Sequence, residues 1–247
     1  MSPANRLIDL IFPPRCPVCG SFIGQHAPED NNFHPDVCPS CRMDFHPLNA
    51  PYCTVCGLSF ESKSGGVHIC ETCLREPPFF HALGAPYLYE GSLKTVIHLF
   101  KYGGRSGLVS FLGPLLASFA RTWAPAEKAT LVMPVPLHPG RLRERGFNQS
   151  KLLAGYVARA LGTGMDFLSL RRVKFTIPQT GLGKKERRKN VQRAFDLKTP
   201  ERISGETVLL VDDVATTGTT LNECARVLSK AKAERVFALV IARTANP

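Results

Sequence analysis

The chain has 247 residues, is 44% hydrophobic and 21% charged, and carries a formal net charge of +11. No run approaches the roughly 18 apolar residues of a membrane helix, and the apolar stretch at residues 7–12 is interrupted by Asp9, followed by Pro13-Pro14, and too short for a signal peptide. These features predict a cytoplasmic protein without membrane insertion, in which nine cysteines serve as metal ligands or free thiols rather than disulfides.

The N-terminal part is organised by cysteine spacing. Four CxxC pairs, Cys16/Cys19, Cys38/Cys41, Cys53/Cys56 and Cys70/Cys73, lie within residues 16–73. A CxxC turn presents two thiolates to one metal, and Gly20 and Gly57 after the first and third pairs permit a tight knuckle. Two pairs complete a tetrahedral Cys₄ site with Zn–S distances of about 2.3 Å. Eight thiolates therefore predict two zinc ions. The repeat of a CxxCG knuckle followed by a plain CxxC favours pairing in consecutive order, with an interleaved cross-brace as the alternative. Four thiolates close the coordination shell, so both zincs are expected to be structural. A region this small could not otherwise bury enough core to fold. His26, His34, His46 and His68 are expected to be surface residues.

The connector Glu76-Pro77-Pro78 divides a double zinc-ribbon domain, 1–78, from an α/β domain, 79–247, each expected to have its own core. Beyond residue 80, strand and helix signals alternate. Ala82–Tyr89 reads as a strand. Ser92 is suited to cap a helix with Leu93, Val96, Ile97 and Phe100 on one face, ended by Gly103-Gly104. A second helix is predicted from about Leu108 to Trp123, then a strand over Thr130–Val135. Asn148–Leu161 reads as a helix with Leu152, Leu153, Tyr156, Val157 and Ala160 inward and Gly162 as its stop. Phe167–Val173 and Thr207–Val211 read as strands, Thr219–Lys230 as a helix and Val236–Ala242 as the last strand. Cys224, on that last helix, should be a buried thiol outside the metal sites. Alternating strands and helices imply βαβ units and a mostly parallel sheet.

The stretch Val208–Thr220 carries the chemistry. An apolar strand leads into Asp212-Asp213, a Thr/Gly turn follows, and a helix begins. Backbone N–H groups at the helix N-terminus and Thr hydroxyls suit a dianionic phosphate, and Gly218 allows close backbone approach. Adjacent carboxylates suit the vicinal hydroxyls of a ribose. The pattern resembles the phosphoribosyl pyrophosphate (PRPP) motif of type I phosphoribosyltransferases. By that resemblance Asp212 and Asp213 hold the ribose, and Ala215, Thr216, Thr217, Gly218, Thr219 and Thr220 form the 5-phosphate loop.

Upstream, Lys101-Tyr102-Gly103-Gly104-Arg105 and the run from Pro134 through Pro136, Leu137, His138, Arg141, Arg143 and Arg145 to Gln149 resemble the ComF family. That family joins a double zinc ribbon to a parallel-sheet phosphoribosyltransferase domain, so the resemblance covers nearly the whole chain. It implies that Arg143 and Arg145 serve the diphosphate, that Pro136, Leu137, Lys101 and Arg187 contact the substrate, and that magnesium enters with PRPP. Three arginines before a helix fit a diphosphate on their own chemistry too. Pro178–Asn190, with two glycines and five basic residues, resembles the flexible loop that closes over substrate in this fold.

Charge is distributed unevenly. Residues 134–195 hold 14 Lys/Arg and 3 Asp/Glu, whereas residues 1–80 hold 5 and 8. Each Zn(Cys⁻)₄ centre would add two negative charges, so the ribbons suit a scaffold or docking role better than phosphate binding. The basic block calls for an anionic partner. Two readings stand. In one, the chain is an active phosphoribosyltransferase of nucleotide metabolism that transfers the ribose to an unidentified nitrogen acceptor. In the other, implied by the ComF resemblance, it binds PRPP or a related ligand and handles single-stranded DNA with DNA-uptake proteins in natural transformation. Tyr102 and Phe147 would then be candidates for base stacking or for packing.

Overall fold

The computed structural model describes residues 13–23, 37–60, 66–175 and 191–245. The cysteine repeat becomes two ribbons of the same build. In each, the first CxxC forms a turn inside a short antiparallel bridge, Arg15 with Phe22 and Tyr52 with Ser59. Gly20 (φ +76°) and Gly57 (φ +65°) adopt the left-handed backbone that the knuckle requires. The second CxxC opens a single helical turn: α1 (Pro39–Met43) after Cys38 and α2 (Glu71–Arg75) after Cys70.

The remaining elements follow in order: β1 (Ala82–Gly84), β2 (Tyr87–Leu88), α3 (Gly91–Tyr102), α4 (Val109–Thr122), α5 (Ala124–Glu127), β3 (Leu131–Pro134), α6 (Pro139–Arg145), α7 (Gln149–Leu161), β4 (Gly164–Met165), β5 (Leu170–Arg172), β6 (Phe195–Leu197), β7 (Thr207–Ala215), α8 (Thr219–Lys230) and β8 (Arg235–Arg243). The sheet runs β1-β8-β7-β3-β4, with β2 also on β8, and every pairing in it is parallel. Strands β5 and β6 form a separate antiparallel pair. Side chains alternate across β7 and β8. Leu209, Val211, Phe237, Leu239 and Ile241 face one layer with α3, α4 and α7, while Val208, Leu210, Val236, Ala238 and Val240 face α8 and the β5–β6 pair.

The expected α/β order is present, with local differences. The strand expected over Ala82–Tyr89 is two short ones separated by Pro86, which has no N–H for a ladder. Strand β7 continues to Ala215, so Asp212 and Asp213 lie within it rather than at its end. The strand expected over Phe167–Val173 shortens to β5 because Asp166 accepts from the backbone N–H groups of Leu168 and Ser169 and turns the chain there. On α7 the buried stripe is Gln149, Ser150, Leu153, Ala154, Val157 and Ala158, turned from the expected apolar one so that the first two polar residues face inward. Helix α3 begins at Gly91, and Ser92 is not its cap. Instead Asp44, from the first ribbon, accepts from the Ser92 N–H and hydroxyl, both at 2.8 Å.

That contact is one of several that fuse the ribbons to the sheet. Leu48 N–H donates to Pro86 O and Leu88 N–H to His46 O, a short ladder along β2. Leu83 N–H donates to Val55 O at 2.8 Å. Cys16, Ile23, Val37, Cys38, Cys41 and Phe45 pack into one apolar cluster with α3 and α4, with Phe45 edge-on to Phe111 at 6.0 Å. The described apolar residues of the first ribbon thus share a core with the α/β layer.

The Asp44 cap yields a stability test. Asp44→Ala should lower the melting temperature by roughly 2–4 °C, the scale of one lost helix cap. Ser92→Ala, which keeps the backbone N–H contact, should cost less. The Ser92 contacts hold the Asp44 carboxyl below its ordinary value, so this stabilisation should be present at neutral pH and lost as pH falls through that lowered value. Equal losses for the two variants in thermal melts would contradict the cap.

Candidate functional site

The eight ribbon cysteines gather in consecutive order: Cys16, Cys19, Cys38 and Cys41 in one group, Cys53, Cys56, Cys70 and Cys73 in the other. Within each group all Sγ atoms lie within 4.8 Å of one another. The Cys19–Cys38 and Cys56–Cys70 separations are 3.6 and 3.8 Å. Four sulfurs about 2.3 Å from a central ion in tetrahedral array would be spaced by much the same distance, so the residues fit zinc. The N–H groups of Cys56 and Cys70 donate to Cys53 Sγ. Burial alone would push this thiol up, but these donors dominate and bring it down to about 7. The two clusters support structural zinc and leave the interleaved pairing without a basis. Cys224 is buried within the α8 side of the core, outside both groups.

The second site forms at the C-terminal end of β7, at the mouth of the parallel sheet. Asp213 is 6% exposed and pairs with Lys101 Nζ at 2.8 Å. Lys101 comes from the last turn of α3. Burial would lower the Lys101 ammonium, but the Asp213 carboxylate outweighs it and holds the value up. Asp212 turns the other way, toward the start of α7. Its Oδ1 accepts from Ser150 Oγ at 2.7 Å and from the Asp213 N–H at 2.9 Å. Burial and the charge of Asp213 raise the Asp212 carboxyl to about 6, against partial relief from Ser150 and Lys101. Ser150 is placed by Asn148, whose side chain accepts the N–H groups of Ser150 and Lys151 as the α7 cap and donates to Val135 O.

After β7 the chain turns through Thr216 and Thr217 to Gly218 (φ +73°), which sits at the N-cap of α8. The left-handed backbone there is what glycine permits. Thr217 Oγ1 contacts Thr219 Oγ1 at 2.7 Å. The Thr219 N–H also donates to Thr217 Oγ1 at 3.4 Å, so the loop is closed on itself at the start of α8, where helix N–H groups favour an anion.

Pro136 and Leu137 follow β3, and Val135 N–H donates to Val211 O, which fixes that strand end beside the acidic pair. Residues 139–145 form α6, an element missing from the expected order. Nothing on this helix is buried, so no apolar stripe marks it. Its signals were Pro139 at its start, His138 Nδ1 accepting from Gly140 N–H, and Gly146 (φ +77°) as its stop. Arg145 donates to Gln149 Oε1 and its guanidinium lies 4.7 Å from the Tyr102 ring centre. Arg143 is exposed on the same helix, while Arg141 pairs with Glu144 and approaches Phe175. Arg187 and the expected flexible loop lie outside the described residues, as do His26 and His34. Phe147 packs against Phe100, and Tyr102 is exposed. Ser150 and Arg172 are absent from the sequence expectations. Arg172 on β5 lies within electrostatic reach of Asp212, Arg141 and Arg145; only the tertiary fold brings it there.

Comparison with known families matches residues 7–74 to a double zinc ribbon domain and residues 149–246 to a phosphoribosyl transferase domain. The chain is 31% identical over 224 residues to the DNA utilization protein YhgH of Salmonella typhimurium, covering 85% of this chain and 98% of the relative. It is 31% identical over 211 residues to competence protein F of Haemophilus influenzae, covering 84% and 90%. With the competence protein ComFC of Bacillus subtilis it shares 27% over 242 residues, covering 93% and 95%.

The raised Asp212 carboxyl has a consequence for stability. A carboxyl that binds its proton more tightly in the folded chain adds stability below about pH 4, and that contribution is lost as pH rises through about 6. At pH 8 the buried charge is therefore a cost. Asp212→Asn, which can still accept from Ser150, should raise stability at pH 8 by on the order of 1–2 kcal/mol, and the gain should fade toward pH 4. Urea titrations at the two pH values check this; an Asn variant that is less stable at pH 8 would refute it.

Proposed function

The chain belongs to the ComF family, which joins a double zinc ribbon to a phosphoribosyltransferase domain, and from that premise we propose that it binds PRPP or a related phosphoribosyl ligand and acts in the handling of single-stranded DNA during uptake. The observation that carries the ligand assignment is the pairing of Asp212 and Asp213 with a Thr/Gly loop one residue beyond the strand. A carboxylate pair that raises Asp212 to about 6 is short of hydrogen-bond donors and positive charge. Ribose 2′- and 3′-hydroxyls supply the donors. Magnesium brought in with the diphosphate would be held near the same two carboxylates, where it would offset the charge of the leaving group.

The chain's own residues do the rest. Lys101 holds the Asp213 carboxylate in place through their 2.8 Å ion pair. The Ala215–Thr220 loop orients the 5-phosphate. Arg145, with Arg172 and Arg141 in electrostatic reach, is assigned to the diphosphate end together with Arg143 of the same helix, and the family resemblance adds Arg187 to the substrate contacts. Pro136 and Leu137, which follow β3, are assigned as substrate contacts. This arrangement would equally serve transfer to a nitrogen acceptor, the alternative reading, in which positioning and charge compensation by these groups lower the barrier.

DNA handling is supported by the names of the relatives and by the rim of the cleft. Three cations there lie over aromatic rings: Arg145 on Tyr102, Arg141 on Phe175 and Lys151 on Phe167, at 4.7, 5.4 and 3.5 Å. All three rings are exposed. Cations beside stacking surfaces suit a single strand, whose phosphates and bases each find a partner.

One pair of substitutions separates the two ligands. Changing Asp212 and Asp213 together to Asn removes two charged acceptors, each worth roughly 1.5–3 kcal/mol to a ribose hydroxyl. Affinity for Mg-PRPP should then fall at least about tenfold. Affinity for a single-stranded oligonucleotide should be unchanged or slightly higher, since negative charge beside a basic rim has been removed. Calorimetry with each ligand reads both. Unaltered Mg-PRPP binding by the double variant would overturn the ribose assignment.

A further inference from the structure

Arg243, the last residue of β8, is 2% exposed, and among the described residues its guanidinium donates to backbone carbonyls and the Thr244 hydroxyl rather than to a carboxylate. Its Nη1 donates to the carbonyls of Ala215 and Thr216 and to Thr244 Oγ1. Its Nε donates to the carbonyl of Cys56 at 3.0 Å, in the knuckle of the second cysteine cluster. It also lies within electrostatic reach of Cys56, Cys70 and Cys73. A buried guanidinium is stable only with compensating charge or acceptors, and a Zn(Cys⁻)₄ centre supplies net negative charge beside it.

Those contacts bear on the anion loop. A loop that holds a phosphate must present N–H groups and keep its carbonyls away, because carbonyl oxygens repel an anion. Arg243 draws back the carbonyls of the two residues that open the loop, and Thr244 Oγ1 also donates to Thr216 O. The far side of the loop is tied to the same ribbon through its connector. Phe79 N–H donates to Asn222 Oδ1 at 2.6 Å, on the first turns of α8. The Phe80 ring closes the space beside Gly218, within 3.8 Å of where a Cβ there would stand. Among the described residues, the first cysteine cluster packs instead against α3 and α4.

We infer that Arg243 is a positioning residue that couples the second cysteine site to the Ala215–Thr219 loop, so that zinc retention at Cys53, Cys56, Cys70 and Cys73 and phosphate binding at the loop reinforce each other. The inference rests on the reading of that loop as the 5-phosphate site. Coupling of this kind is reciprocal: a ligand that is bound more tightly when zinc is present must in turn hold that zinc more tightly.

The test uses the intact two-zinc protein, ribose 5-phosphate as probe and a zinc-selective chelator. Binding of ribose 5-phosphate is first established by calorimetry. At saturation it should raise, by about fivefold or more, the chelator concentration that removes one of the two zincs, and leave the other unchanged. A Cys19→Ser variant, weakened only at the first site, should keep the protected zinc. Arg243→Gln should load two zincs yet lose the protection and bind ribose 5-phosphate at least about fivefold more weakly, with partial recovery in Arg243→Lys. Equal protection of both zincs, or of neither, in wild-type protein that binds the probe overturns the coupling even if the Gln variant does not fold. A wild-type protein that does not bind the probe overturns the reading of the loop itself.

Discussion

Two carboxylates side by side in the C-terminal half of a parallel strand repel each other, and much of the α/β domain is arranged around Asp212 and Asp213. Each is given a different partner. Asp213 receives Lys101 from the end of α3, a cation whose own burial is tolerable only because of that pairing. Asp212 receives one neutral hydroxyl from Ser150 and stays short of compensation, with its carboxyl raised to about 6. The asymmetry leaves one acid anchored and the other ready for donors or a cation from a ligand. It also explains why α7 turns Gln149 and Ser150 inward at its first turn, where an apolar stripe would have packed more simply.

The ribbons belong to the same construction. Asp44 of the first ribbon holds the start of α3, and Lys101 sits at that helix's other end. The second ribbon meets the anion loop through Arg243 and through the connector that carries Phe79 and Phe80. Segment 46–48 continues the hydrogen bonding of the sheet beside β2. A cysteine-rich appendage would need none of these contacts; a buttress for the two ends of the cleft would need all of them. The negative charge of the metal centres is then useful inside the protein, beside Arg243, as well as unsuited to binding phosphate outside it.

What could be read in the sequence follows from what is local. The four CxxC pairs, the Asp-Asp strand and its Thr/Gly turn are short patterns in which chemistry is set by spacing; the structure gathers the eight thiols in two groups, while β7 runs past the acids to Ala215 before the turn begins. The zinc pairing was only partly legible: the knuckle repeat favoured consecutive order over a cross-brace, and the thiol groups in the structure are what decide it. Helix α6 was not, since a helix that buries nothing has no 3.6-residue apolar rhythm. Strand β6 is three residues long and exists only through β5. Ser92 looked like a cap because Ser is a good one, but a carboxylate 48 residues earlier takes that place. Ser150, Arg172 and Arg243 carry no motif; each is a common residue made important by a partner far off in the chain.

The central claim is that Asp212 is held under-compensated until a phosphoribosyl ligand arrives. If so, Mg-PRPP must expel a proton from it when bound near pH 6. Calorimetry of the full chain in buffers of different ionisation enthalpy measures that proton directly. The account predicts release of a substantial fraction of one proton per ligand near pH 6, beyond the ligand's own contribution, with this excess missing in Asp212→Asn. Binding with the same proton balance in wild type and variant, or proton uptake attributable to Asp212, would contradict it.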